Sequence, residues 1–176
     1  QIMKAIAKLF LKTILFFGIP FVIVMMLLFS DSWSGIEPQN VLIRYVIVAI
    51  IISTGVVIGQ INSLKSRGIK EFTDETFSVK KHKLFQSSIT KEELVKKLRL
   101  DPVFGKMKMD VIENVIFLKS GISLQSFGQE INIIVNQRQD SKNDYSISVK
   151  PKIVTTMFDF GKSLDILDRF QYLISA

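Results

Sequence analysis

The chain has 176 residues, 48% of them hydrophobic, a formal net charge of +7 and no cysteine. That length holds one ordinary domain plus something more, and a mean hydropathy of +0.32 is high for a water-soluble protein. Without cysteine there are no disulfides, no thiolate catalysis and no cysteine-ligated zinc or iron–sulfur site.

The apolar residues are concentrated. The sequence opens on Gln1 rather than methionine, which predicts residues ahead of it, and basic residues Lys4, Lys8 and Lys12 recur every fourth position. That spacing puts them on one helical face. It fits either an interfacial helix on the inner leaflet or an extension of the next segment with snorkelling lysines. From Thr13 to Ser30 the run TILFFGIPFVIVMMLLFS has 18 residues and no charge, and twelve of them are Leu, Ile, Phe or Val. At roughly −0.3 to −0.6 kcal/mol each, they favour insertion by about 5 kcal/mol. The run lacks the polar stripe of a soluble core helix. It is too long for a signal peptide and has no small-residue cleavage site after it. Pro20, with Gly18 before it, predicts a kink.

A second uncharged run, YVIVAIIISTGVVIGQINSL, covers the 20 residues Tyr45–Leu64. Each run is long enough to cross about 30 Å of hydrocarbon as a helix. The spans are expected at about 10–30 and 43–64, making residues 1–64 a two-helix transmembrane hairpin. Between them the segment Asp31–Asn40 carries Asp31 and Glu37 and no Lys or Arg, whereas Lys65, Arg67 and Lys70 follow the second span. The positive-inside rule then places both termini in the cytoplasm, across a cell inner (plasma) membrane, with Trp33 and Tyr45 in the interfacial belt and Arg44 snorkelling to the headgroups. Gly55 and Gly59, near Ser53 and Thr54, form a small-xxx-small face for close helix packing. The expected partner is the first span, a second copy or another membrane protein. No Asp, Glu, His or Lys lies deep in either span, which argues against a proton-coupled transporter.

Residues 65–74 read as a linker and 75–176 as a cytoplasmic α+β domain. The expected order is β-α-β-β-β-β-α, an antiparallel sheet with helices on one face. Glu75–Ile89 reads as a strand. A helix follows, with Thr90 and Glu93 as a capping box, Leu94, Val95 and Leu98 on its buried face, and Asp101-Pro102 as its stop. Lys106–Val111 alternates polar and apolar, and Val115–Gly128 continues as strand with an interruption near Ser120-Gly121. QEINIIVNQRQ and DYSISVKPKIV form a hairpin across DSKND, with Tyr145, Ile147 and Val149 inward. Lys162–Ser175 reads as a helix capped by Ser163, with Leu164, Leu167, Phe170, Leu173 and Ile174 buried.

The segments SGISLQSFGQEINIIV and SVKPKIVTTMFDFGKS resemble a pattern in uncharacterised bacterial membrane-linked α/β domains. The matching residues are Gly121, Ser123, Ser126, Phe127, Gly128, Gln129, Ser148, Pro151, Asp159, Phe160, Gly161 and Lys162. The resemblance covers about the last sixty residues. It implies a compact α/β domain, often joined to membrane segments, and no activity.

The motifs that invite an enzymatic reading are incomplete. DFG at Asp159–Gly161 lacks the other kinase signatures. GKS at Gly161–Ser163 has Thr156 where a P-loop needs glycine. The one histidine, His82, stands in KKHK and reads as a surface residue. No His/Asp/Glu cluster has metal-ligand spacing. No catalytic residue and no cofactor are expected.

The charge is localised. Lys80 to Lys108 holds nine cations against Glu92, Glu93 and Asp101, so it carries +6 of the formal +7. Such a surface is either merely solvated or held against anionic lipid, with Lys80, Lys81, Lys83, Lys96, Lys97 and Arg99 at the membrane surface. Nucleic acid is not an expected partner, because aromatic stacking motifs are missing. The leading expectation is a non-enzymatic accessory or regulatory subunit whose domain docks on anionic lipid or a partner protein. The alternative is an oligomeric membrane effector or transporter component. A lipid-modifying enzyme would need polar catalytic groups that these residues do not assemble.

Overall fold

The computed structural model describes residues 2–28, 38–122, 128–137, 142–153, 156 and 158–175. The expected belt residue Trp33, the loop acids Asp31 and Glu37, and the motif residues Ser123, Ser126 and Phe127 lie outside them. The chain forms two compact units, Gln1–Phe77 and Ser78–Ala176.

In the first unit, α1 (Ile2–Thr13) runs through a π-helical turn (Ile14–Gly18) into α2 (Ile19–Leu28), and α3 (Pro38–Lys65) packs against all three. Both Ile2–Leu28 and Asn40–Lys65 are long and apolar enough to cross a membrane. The lysine-bearing segment is thus the helical continuation of the first apolar run. The π turn sits where the sequence predicts a kink: the Ile19 N–H donates to the Ile14 carbonyl, one residue farther back than in an α-helix. Pro20 follows directly, and its ring would press on the carbonyl four residues earlier in an unbroken α-helix. The extra residue also preserves the inner face. Ala5, Leu9, Thr13, Gly18 and Val22 are buried, with the spacing widening from four to five across the π turn. Val41, Tyr45, Ala49, Ser53, Val57 and Leu64 form the facing stripe of α3.

Residues 65–74, read from the sequence as a linker, carry local structure of their own. Phe72 and Phe77 are buried and stack with ring centroids 5.7 Å apart. The Thr76 N–H donates to the Thr73 hydroxyl at 3.2 Å. This turn overrides the strand propensity of Glu75–Lys80, so the first strand is shorter than expected.

The second unit is a five-stranded antiparallel sheet in the order β1-β5-β4-β3-β2. Its strands are β1 (Lys81–Ser87), β2 (Lys108–Ile112), β3 (Val115–Lys119), β4 (Gln129–Gln137) and β5 (Asn143–Pro151). Two helices, α4 (Lys91–Leu100) and α5 (Lys162–Ser175), complete it. The element order is the expected one. Period-two alternation sends Ile116 and Leu118, Ile131 and Ile133, and Tyr145, Ile147 and Val149 into one fully buried layer with Leu94, Leu98 and Phe170 of the helices. Each such side chain contributes roughly 1.5–3 kcal/mol of burial. The Tyr145 hydroxyl and the Asn143 amide both donate to the Ile89 carbonyl, at 2.5 and 2.7 Å, tying β5 to the entry of α4. The capping box is present: the Glu93 N–H donates to Thr90 Oγ1 at 3.3 Å, and the Thr90 N–H donates to the Glu93 carboxylate at 2.8 Å.

The β3 strand ends at Lys119, where the sequence predicts an interruption. The Ser120 N–H donates to the Gln129 carbonyl at 2.9 Å, and the Ser120 hydroxyl accepts from the Gln129 N–H at 2.8 Å, so a loop closes there.

Candidate functional site

The hairpin closes at Gly18, for which the sequence predicts a kink, against Ala49 and Ser53. A methyl group built on Gly18 would lie 2.9 Å from Ser53 Oγ and 3.4 Å from the Ala49 methyl, so glycine is what lets the helices approach here. Gly55 instead has open space around its would-be side chain. Gly55 is exposed and Gly59 half-buried. Gly55 therefore does not pack on the first span. The physical reason is phase: Ala49, Ser53 and Val57 recur every four residues, and Gly55 lies two positions, about 200°, from Ser53.

The cations split into two groups. Lys80, Lys81 and Lys83 lie at or before the edge strand β1; Lys96, Lys97 and Arg99 lie on α4. Several serve the fold. Lys97 Nζ donates to the Leu173 carbonyl at 3.1 Å, in the last turn of α5, where a cation also suits the helix dipole. Lys83 Nζ donates to Gln171 Oε1 at 2.9 Å and stands 4.9 Å over the Phe85 ring. Lys91, outside the expected set, donates to the Glu113 carbonyl at 2.6 Å. Lys81 is half-buried, whereas Lys80, Lys96 and Arg99 are exposed. The six residues are thus not equivalent, and a sequence count of charge could not separate them.

The residues around Asp159–Ser163 form a capping network. Asp159 accepts from the N–H groups of Gly161 and Ser163 at 3.1 and 3.0 Å. Ser163 is not the cap expected from its position. Its hydroxyl donates to the Val79 carbonyl at 3.0 Å and accepts from Gln129 Nε2 at 3.2 Å. Phe160 and Gly161 take positive φ, 47° and 78°, and Gly128 does the same at 78°. The DFG and GKS letters therefore encode a reversed turn and a helix start. Ser148 lies apart, paired in register with His82 on one side and Asn132 on the other.

Beside this network runs a groove of about 550 Å³, lined by Val103, Met107, Gln129, Lys162, Asp165 and Arg169 among others. Arg169 Nε donates to both oxygens of the buried Asp101 carboxylate, at 3.0 and 2.8 Å, so this cation is committed to the fold. His82 Nε2 lies 2.8 Å from Ser146 Oγ on the exposed sheet face. No group of three His, Asp or Glu among the described residues is placed to hold a metal ion.

One feature was missed in the sequence. Leu100 is 77% exposed at the end of α4. Its signal was legible: Leu94 and Leu98 define the buried face, and Leu100, two positions beyond, falls on the opposite side. No family model, curated protein or solved structure matches the chain.

Proposed function

We propose that the chain is a two-pass protein of the plasma membrane with both ends in the cytoplasm, and that its α+β domain is a non-enzymatic accessory or regulatory module docking on anionic lipid or a partner protein. The observation that carries the membrane reading is the outer surface of the two long helices. Leu15, Phe16, Ile23, Leu27, Ile43 and Ile51 are all exposed, with no polar face between them. In water such a surface would be an aggregation site, and in lipid it is the solvated one. The basic flanks support the orientation. Lys8 is ion-paired with Asp74, beyond the second helix, which brings the two basic flanks to the same end of the hairpin.

Native mass spectrometry of the full chain in mild detergent tests the accessory role. A second protein retained stoichiometrically is expected, and a homo-oligomer alone would replace this reading with the oligomeric effector or transporter component. The open surface at Gly55 favours that second reading, because it leaves a small-residue face free for another helix. Orientation is tested by a single cysteine placed between Leu28 and Pro38. An impermeant maleimide should label it in intact cells, and labelling only after lysis would reverse the topology.

A further inference from the structure

At the end of α4, exposed apolar residues and exposed cations coincide. Lys96, Arg99 and Leu100 are related by three and four positions on α4, so they share the face turned away from the core. Past Leu100 the chain turns at Asp101, whose Oδ1 accepts from the N–H groups of Val103 and Phe104 at 2.8 and 3.0 Å. This turn anchors Phe104 in the core and leaves Pro102 exposed and Val103 40% exposed. The chain then folds back tightly. A methyl group on Gly105 would lie 2.5 Å from the Arg99 carbonyl oxygen, so Lys106 leaves the turn beside Arg99. Lys96, Arg99 and Lys106 are all exposed. The one acid between Glu93 and Asp110 is Asp101, which is buried and paired with Arg169. The corner is an apolar tip, Leu100-Asp101-Pro102-Val103, with Lys96, Arg99 and Lys106 on its α4 side, while Val103 also borders the groove that holds Lys162, Asp165, Asp168 and Arg169.

We propose that this corner is a membrane wedge: Leu100 and Val103 enter the acyl boundary of an anionic leaflet while Lys96, Arg99 and Lys106 meet its phosphate headgroups. The proposal rests on the lipid-docking reading above and assigns that docking to one surface. Charge complementarity identifies the occupant, since an anionic leaflet attracts clustered Lys and Arg at its surface. The pairing of cations with one or two large apolar side chains is the composition of interfacial anchors. Connectivity adds to this, because Ser78 directly follows the unit that holds the apolar hairpin. The β1 group of Lys80, Lys81 and Lys83 is dispensable in this scheme, because Lys83 is engaged with Gln171 and Phe85.

The absence of native cysteine makes the test direct. Leu100→Cys, Val103→Cys, Leu84→Cys and Ile134→Cys each carry an environment-sensitive fluorophore on the full chain. Leu84 and Ile134 are exposed on the sheet face away from the helices and serve as comparison sites. Each protein is reconstituted into vesicles of phosphatidylcholine, with or without phosphatidylglycerol, containing lipid brominated on its acyl chains. Quenching at 100 and 103 in the anionic vesicles, and not at 84 and 134, is the expected result. Lys96→Gln/Arg99→Gln/Lys106→Gln should then lower the docked-to-free ratio about a hundred-fold, and Lys80→Gln/Lys81→Gln/Lys83→Gln should leave it in place. Equal quenching at 100 and 103 in neutral vesicles would overturn the role of charge, and with it the proposal. Quenching at 84 and 134 instead would overturn the wedge while keeping lipid docking by another face. No quenching at any of the four positions would overturn both.

Discussion

The two units bury side chains by different rules. In the domain, burial alternates along β3, β4 and β5: in β4, Ile131, Ile133 and Val135 are inside, and Asn132 and Asn136 face outward. In the hairpin, burial recurs every fourth or fifth residue, and the small or polar positions Ala5, Thr13, Gly18, Ala49 and Ser53 share the inner stripe with Leu9, Val22, Val41, Tyr45, Val57 and Leu64. Many other large apolar residues of the hairpin, among them Leu15, Phe16, Ile23, Leu27, Ile43 and Ile51, are exposed. Water puts large side chains inside because removing their surface from solvent is favourable. Lipid offers no such gain, and helices there meet where the backbones can come close. On the proposed membrane reading, the exposed apolar surface of the hairpin is its lipid-facing side.

The comparison is broken most strongly in the domain core. Phe170→Ala removes a fully buried ring that packs on Phe85 and Tyr145, with centroids 5.5 and 6.3 Å away. A loss of about 3–5 kcal/mol is expected. Chemical denaturation of the full chain in mild detergent measures it, and the transition of the domain should move while that of the hairpin stays.

Next in size is the hairpin crossing. Gly18→Val places methyl groups against Ser53 and Ala49, an overpacking that costs about 1–3 kcal/mol. Gly55→Val meets open space and should leave hairpin stability unchanged in the same denaturation measurement. If a second copy packs on Gly55, that variant loses the oligomer without losing the fold. The pair of substitutions thereby separates contact within the hairpin from contact between chains.

The sequence was most legible where one local rule decides the outcome. The two apolar runs, the capping box at Thr90 and the alternation of Tyr145, Ile147 and Val149 need only composition or period. The misreadings came from competing contacts. Strand propensity in Glu75–Lys80 lost to the stacked Phe72–Phe77 turn. Ser163 looked like a cap and instead carries hydrogen bonds to Val79 and Gln129, while Asp159 caps the helix. In the GVVIG motif Gly55 falls out of phase with the inner face of α3, which leaves it to the other partners that the sequence offered, a second copy or another membrane protein. The cations were legible as a cluster and not as individuals, since the backbone carbonyl of Leu173 that engages Lys97 lies far away in sequence.

A smaller effect is expected at the capping box. Thr90→Ala removes the hydroxyl that accepts from the Glu93 N–H and should cost about 1 kcal/mol at neutral pH, read from the domain transition.

The smallest effect is visible only against pH. The hydrogen bonds from Thr90 hold the Glu93 carboxyl below its ordinary value of 4.5, and the hydrogen bond from Lys150 does the same for Glu130. A carboxylate whose value is depressed by folding contributes stability that is fully present above the unfolded value and lost as pH falls through the folded one. The domain should therefore keep its stability down to about pH 4.5 and lose it progressively below. Glu93→Gln retains the acceptor that the Thr90 N–H requires, so it should change little at pH 7. Its stability profile should be flatter below pH 4.5 than that of the unsubstituted chain, as should that of Glu130→Gln. An unchanged acid slope in both variants would mean that the acid sensitivity lies elsewhere. Asp74 of the first unit, held low mainly by its hydrogen bond from Lys8, would then be the group to replace next.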